Sequence, residues 1–263
     1  DLVVANPPYQ GTSKMADAAY VARVYPRGKA DLYAAFLERG LQLVRDGGVS
    51  AMLTMRNWMF LTQYTALRTW LIETYDLRVL GDVDRGAFDE VPNEVLAATM
   101  SVFRKAPPAD VESIAVQPTP LDDKSYDRER TKRKRAALLC QRAIVTFLPK
   151  RVEVIEGAPL VYWWVPREFA QYAAAEKLGT KHTVRYGLST QNNTRWLRCP
   201  WEPAARHLML SSFSDSAGWD GSPWVCYIKG SEGKRWCDQV DDVLLWRHKG
   251  LELATYPDNR YGR

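Results

Sequence analysis

The chain is predicted to be an α/β protein. Short apolar runs alternate with segments of helical periodicity over the first hundred residues, the first run ends on a proline pair, and a glycine pair closes the first long helical segment. Residues 1–5 (DLVVA) read as a buried strand stopped by Pro7 and Pro8. Residues 10–29 are polar and mixed and read as a loop. Residues 30–46 read as a helix with Leu32, Phe36, Leu37, Leu41 and Val44 on one face, ended by Gly47-Gly48. Residues 49–55 (VSAMLTM) form a second buried strand, and residues 62–75 a second helix with Leu67, Leu71 and Ile72 inward. Residues 77–83 and 95–103 are two further strands, joined through a turn at Pro92-Asn93. Beyond them, Pro107-Pro108 and Pro118/Pro120 bound a linker-like stretch. The charged run 122–135 (DDKSYDRERTKRKR) reads as a solvated loop or exposed helix end, and residues 136–148 as a helix.

The chain has 263 residues, room for one large domain or two modest ones. We divide it into residues 1–105 and 106–263. The first part balances 12 Lys/Arg against 12 Asp/Glu, so the whole net charge of +5 falls in the second, which also holds eight of the ten tryptophans. A neutral part followed by a basic, aromatic one suits a polyanionic partner; a solvated basic face is the plainer alternative. No apolar run is long enough to span a bilayer, and no signal peptide is recognisable, so a cytoplasmic protein with no membrane partner is expected. Cys140, Cys199, Cys226 and Cys237 lack CxxC spacing, and His182, His207 and His248 lack ligand spacing, so no metal is expected and the thiols are read as buried. The chain opens on Asp1 within what already reads as a core strand. We therefore expect a fragment whose preceding half is missing.

The tetrapeptide Asn6-Pro7-Pro8-Tyr9 carries the chemistry. In α/β sheets ligands bind beyond the carboxyl ends of strands, and Asn6 sits there. Methylating an exocyclic amine is difficult because its lone pair is delocalised into the ring. Two acceptors on its N–H groups push density back onto nitrogen. The Asn6 carbonyl can be one and the Pro7 backbone carbonyl the other, held by a residue of fixed φ. Tyr9 can stack on the base, a contact worth about 1–3 kcal/mol. Direct displacement from a sulfonium then needs no covalent enzyme intermediate. Ring-carbon cytosine methylation, which uses a cysteine following proline, is excluded: Leu139, Arg198, Val225 and Trp236 precede the four cysteines. A merely rigid loop is the other reading of Pro-Pro-Tyr, and its place at the end of an apolar strand favours chemistry.

These residues resemble the adenine-amino DNA methyltransferases in which a Gly-rich cofactor motif precedes the catalytic one. DLVVANPPYQG is similar to that group's fourth strand and tetrapeptide, Asp31-Leu32-Tyr33-Ala34-Ala35-Phe36 to its Asp-Leu-Tyr-x-x-Phe motif, and Gly47-Gly48-Val49-Ser50-Ala51-Met52 to its next strand. Leu80-Gly81-Asp82-Val83 followed by Phe88 resembles the segment supplying a second aromatic against a flipped base. Residues 157–164 and 186–198 resemble target-recognition segments of the PglX-type enzymes of BREX phage defence and of type IIG restriction-modification enzymes. The group's Gly-rich loop is absent, since the chain contains no Gly-x-Gly. The resemblance thus implies the C-terminal half of a Rossmann-like methyltransferase sheet, strands four to seven, followed by part of a target-recognition region.

It also implies S-adenosyl-L-methionine as cofactor, duplex DNA as partner, base flipping, and a role in restriction-modification or phage defence alongside other defence proteins. Asn6, Pro7, Pro8 and Tyr9 would be catalytic, and Tyr9 and Phe88 would stack on the target base, Phe88 being equally readable as a core residue. Asp31 and Phe36 would lie near the cofactor, although helix capping explains Asp31 and helix packing explains Phe36. Ser189, Thr190, Asn192, Asn193, Arg195 and Arg198 would contact DNA or else form a polar loop, while Lys132, Arg133, Lys134 and Arg135 are phosphate contacts or, more simply, a solvated face. Two alternatives stay open: a protein-glutamine methyltransferase, which uses the same tetrapeptide but lacks a basic, Trp-rich extension, and an inert DNA-binding remnant.

Overall fold

The computed structural model describes residues 1–88, 96–119, 129–183, 188–209, 223–228 and 241–256. The expected turn at Pro92-Asn93, the first part of the charged run 122–135, and Tyr186-Gly187, Trp219, Trp236 and Cys237 lie outside the described residues.

The first unit, Asp1–Ala175, begins with strand β1 (Leu2–Ala5), helix α1 (Ala18–Val24), α2 (Leu32–Leu43), β2 (Val49–Met55), α3 (Thr65–Thr74), β3 (Asp76–Arg85) and β4 (Ala97–Arg104). It continues with β5 (Ser113–Val116), α4 (Arg130–Leu139), β6 (Ile144–Phe147) and α5 (Pro166–Ala174). The six described strands form one mixed sheet in the order β1-β2-β4-β3-β5-β6. β1 runs parallel to β2, and β4 runs antiparallel to both β2 and β3. The carboxyl ends of β1, β2 and β3 therefore share one edge of the sheet. The expected α/β alternation over residues 1–105 is present.

One face of this sheet is thickly covered. α2 turns Tyr33, Ala34, Leu37 and Leu41 inward against Met52, and α3 adds Leu67, Leu71 and Ile72. Gly40 lets α2 lie directly on β2: a Cβ there would collide with the ends of Met52 and Ser50. Arg68 of α3 is buried, 1% exposed, and acts as a peg. Its guanidinium donates to the carbonyls of Trp58 (2.8 Å), Leu61 (3.2 Å), Ala158 (2.9 Å) and Gly157 (2.9 Å). Burial lowers its pKa to about 10, which leaves it charged at neutral pH.

Several expectations are corrected. β1 is not buried: Leu2 and Val4 are 62% and 70% exposed, because β1 is an edge strand covered on one face only among the described residues. Residues 10–29 are not all loop, since α1 forms there and buries Val21 with Met15 and Ala35. Phe36 faces outward, because the Tyr33, Leu37 and Leu41 stripe already occupies the core side. The linker-like stretch contains β5, whose Ser113 hydroxyl bonds Leu77 O. The helix expected over 136–148 starts earlier and stops at Leu139, where Gln141 and Ala143 turn at positive φ into β6. The thiols of Cys140 and Cys226 are exposed and Cys199 is half-buried, so the expected burial fails for these three.

The chain divides into two compact units, Asp1–Ala175 and Glu176–Arg263; β5 and β6 extend the sheet of the first, and Arg68 pins residues 157–158 to it. The second unit has α6 (Leu178–Lys181), α7 (Asn193–Trp196), β7 (Leu197–Arg198), β8 (Leu208–Met209), β9 (Trp224–Tyr227), β10 (Asp242–Leu245) and α8 (Leu251–Ala254). Its four described strands order β7-β10-β9-β8, around a core of Trp196, Leu197, Val225, Leu244 and Leu253.

Replacing Arg68 by Met keeps the stem and strips four carbonyls of their donor. We expect about 3 kcal/mol of lost stability, read as a lower urea midpoint; an unchanged midpoint would refute the peg.

Candidate active site

The Asn6-Pro7-Pro8-Tyr9 segment leaves the carboxyl end of β1 with Pro7 buried and Asn6 exposed. The Tyr9 hydroxyl shares its one proton between two acceptors, Asn6 Oδ1 at 3.3 Å and Leu53 O on β2 at 3.4 Å. Its ring meets Tyr33 edge-on, centroids 6.0 Å apart. Burial of the phenol raises the Tyr9 pKa, so it stays a neutral donor. The tetrapeptide is thus braced against α2 and β2, with the Asn6 amide turned to solvent.

The segment after it is fastened to the start of α2. Asp31 accepts from Gln10 N (3.0 Å) and from Tyr33 N (3.4 Å), and Leu32 N donates to Gln10 O (3.0 Å). Thr12 Oγ1 donates to Lys29 O at 2.7 Å. Burial raises the Asp31 pKa, opposed by the N–H groups of Gln10, Tyr33 and Leu32. Asp31 is therefore the N-cap of α2, as the plainer reading had it, and also a staple for the loop that follows the tetrapeptide. Phe36 lines a groove of about 400 Å³ with Gln10, Lys14, Met15, Tyr20 and Arg39.

At the same sheet edge, Arg56 follows β2 directly. It pairs with Asp82 (2.6 Å) and Asp84 (3.2 Å) at the end of β3, and the Tyr162 hydroxyl donates to Asp82 at 2.9 Å. Asp82 is fully buried. That burial raises its pKa, with Arg56 and the Tyr162 hydroxyl acting in the opposite direction. Sequence reasoning singled out none of Arg56, Asp82 or Tyr162 for a role. A charge flanked by apolar residues in β3 was the available signal.

Phe88 is half-buried and lines a cavity of about 500 Å³ with Leu53, Val83, Met100 and Leu138. Tyr9 and Phe88 do not share this cavity; both adjoin Leu53, Tyr9 through its carbonyl and Phe88 across the cavity. Lys134, read as a phosphate contact or solvated charge, is instead 1% exposed and bonded to carbonyls.

In the second unit the polar segment is largely engaged with itself. Asn192 caps α7 through Arg195 N (3.0 Å), Thr190 is buried and donates to Asn193, and Ser189 accepts from Gln191. Arg195 lies over both Trp196 and Tyr256, about 5 Å from each ring. Arg198 donates to Thr194 O and Leu197 O and sits over Trp224. Asn193 and Arg195 remain exposed. Among the described residues no cluster of His, Cys, Asp and Glu could hold a metal, and no helix is long and apolar enough to cross a membrane.

Two measurements test this geometry. Asp31→Ala should lower stability by about 1 kcal/mol, seen in thermal unfolding, with Asp31→Asn retaining most of it; equal losses would deny the carboxylate its capping role. Asp82 has a folded pKa above its unfolded value, so its protonated form favours folding. Its contribution is full at low pH and is lost as pH rises through the folded value. Asp82→Asn should flatten that decline in unfolding titrations as pH rises above the ordinary carboxylate range. Parallel curves for variant and parent would place the effect elsewhere.

Residues 1–88 match the family described as Eco57I restriction-modification methylase. The chain is 28% identical over 268 residues to the adenine-specific methyltransferase PglX of Lacticaseibacillus casei, covering 99% of this chain and 22% of that protein. It is 26% identical over 261 residues to the adenine-specific methyltransferase BrxX of Escherichia coli, covering 98% and 20%. The type II methyltransferase M.BanIII of Aneurinibacillus aneurinilyticus is 34% identical over 86 residues, 32% of this chain and 15% of that protein. The chain thus spans about a fifth of the length of PglX and BrxX. Along nearly all of its own length it is similar to adenine-specific methyltransferases of the PglX and BrxX kind, and its first 88 residues match the Eco57I restriction-modification methylases.

Proposed function

We propose that this chain carries part of the catalytic core of an adenine-specific DNA methyltransferase. It corresponds to the later half of a Rossmann-like methyltransferase sheet, followed by part of a target-recognition region. The observation that supports this most is Asn6-Pro7-Pro8-Tyr9 at the carboxyl end of β1, in a chain similar throughout to PglX and BrxX.

The target adenine is flipped out of the duplex so that its amine reaches Asn6 Oδ1 and the Pro7 carbonyl. To do so it displaces the Tyr9 hydroxyl from Asn6, where the two are 3.3 Å apart. These acceptors hold the two N–H groups and raise the nucleophilicity of the nitrogen, while Pro8 stiffens the turn. Tyr9 stacks on the base and Phe88 packs on its other side or edge. S-adenosyl-L-methionine, when bound, supplies an electrophilic methyl on a sulfonium. The residues of this chain would then act on the amine alone: Asn6 Oδ1 and the Pro7 carbonyl would hold it and orient its lone pair toward the donor, and Phe36 would help to hold the donor.

Of the residues implied for the cofactor, Phe36 fits, offering a ring 37% exposed on a groove beside Gln10. The Asp31 carboxylate is engaged with Gln10 and Tyr33, so it acts by holding the loop. Ser189, Thr190, Asn192, Asn193, Arg195 and Arg198 form the DNA-contacting segment. Exposed Asn193 and Arg195 reach the nucleic acid, and the rest shape the turn. The product marks host DNA in restriction-modification or phage defence.

The test is base-modification sequencing of a host carrying the full-length gene. Methyladenine at one recurring sequence is expected. Asn6→Ala should reduce methylation by at least about 100-fold with duplex binding retained. Turnover comparable to the parent would refute the role of Asn6, and a modified protein glutamine with unmodified DNA would refute the substrate.

A further inference from the structure

The basic helix α4 faces the end of β3, and we propose that Lys134 is a positioning residue that sets Phe88 against the target base. The proposal rests on the function given above and deepens it. Lys134 Nζ donates to Val83 O at 2.5 Å, to Arg85 O at 2.6 Å and to Thr119 Oγ1 at 3.0 Å. Acceptors such as these, on carbonyls and a hydroxyl, are what allows the ammonium to be buried.

The two carbonyls flank the point where β3 stops being a regular strand. Its register against β4 shifts between Asp82 and Asp84, and Asp84 takes φ 58, a left-handed conformation that a side chain disfavours. Gly86 follows at φ 74. One ammonium therefore gathers the carbonyls on both sides of the strained residue. On the same helix, Thr131 Oγ1 donates to Gly86 O at 3.0 Å, and the Arg130 stem lies so close that a Cβ on Gly86 would meet it. Arg56 holds Asp84 through a 3.2 Å ion pair. The exit of β3 is thus gripped at residues 83 to 86. Phe88 follows two residues on, in a cavity that Thr131, Lys134 and Leu138 also line. An aromatic that must meet a flipped base needs its loop set within about 0.5 Å, and this clamp provides that setting. The run Thr131-Lys132-Arg133-Lys134-Arg135 therefore carries an internal function that its charge alone conceals.

The experiment uses the full-length enzyme on two duplexes: one bearing 2-aminopurine in place of the target adenine, whose fluorescence rises on flipping, and the unmodified one, on which kcat is read. The variants are Lys134→Met, Thr131→Val, Phe88→Ala and the double variant Lys134→Met with Phe88→Ala. We expect Lys134→Met to bind duplex as the parent does, to lose most of the fluorescence rise, and to lose kcat by about 100-fold, with Thr131→Val showing a smaller loss of the same kind. In the Phe88→Ala background Lys134→Met should add little, because both act through one ring. Losses that multiply in the double variant, or a full fluorescence rise in Lys134→Met, would overturn the proposal. If Lys134→Met does not fold, Thr131→Val in the same cycle decides the matter. A parent enzyme that leaves 2-aminopurine stacked would overturn the base-flipping reading itself, a distinguishable result.

Discussion

The parallel pairing of β1 with β2, Leu2 opposite Val49 through Ala5 opposite Met52, sets the direction in which the first strand points. Because the two strands run the same way, Asn6 and Arg56 emerge at one edge of the sheet. An antiparallel β4 between β2 and β3 then turns β3 to run with them, which brings Asp84 and Phe88 to that edge as well. Tyr9 reports the alignment directly, since its hydroxyl reaches Leu53 on the neighbouring strand. Every residue proposed for chemistry in the first unit depends on this shared polarity.

Three buried charges do the rest of the positioning. Arg68 fastens residues 157–158 to α3 and to the turn after β2. Asp82 receives Arg56 from one side and the Tyr162 hydroxyl from the other, so residues 157–164 are tied to the ends of the central strands. Lys134 closes the far side of β3. A buried charge demands specific partners, whereas a buried leucine accepts any apolar neighbour of suitable shape. These three groups therefore specify where irregular segments go, while the Leu, Met and aromatic core supplies bulk cohesion.

The second unit uses its cations differently. Arg195 and Arg198 lie over aromatic rings and local carbonyls, and Asn192 and Thr190 are occupied in capping and turn bonds. A segment built this way is pre-shaped, so little ordering remains for a ligand to impose. The tryptophans that concentrate here divide between core and surface: Trp196 is 1% exposed and Trp201 80%.

The sequence by itself determined the α/β alternation of the first hundred residues, the Asp31-capped start of α2, the strand 49–55 and the place of Asn6-Pro7-Pro8-Tyr9 after a strand. These are local properties: hydrophobic period, proline stops and an Asp cap, whereas α2 ends at Leu43 with Val44 as its cap, before the glycine pair expected to close it. Tertiary structure alone decided that Leu2 and Val4 face outward, that Phe36 leaves the core, that β5 joins the sheet and that the first unit runs to Ala175. It alone decided that Lys134, Arg68 and Asp82 lie inside. Periodicity treats a charged residue as surface, because burying a charge is costly unless partners are present. For Lys134 those partners are carbonyls of residues 83 and 85, about fifty positions away in the chain. Only the folded sheet brings them within reach.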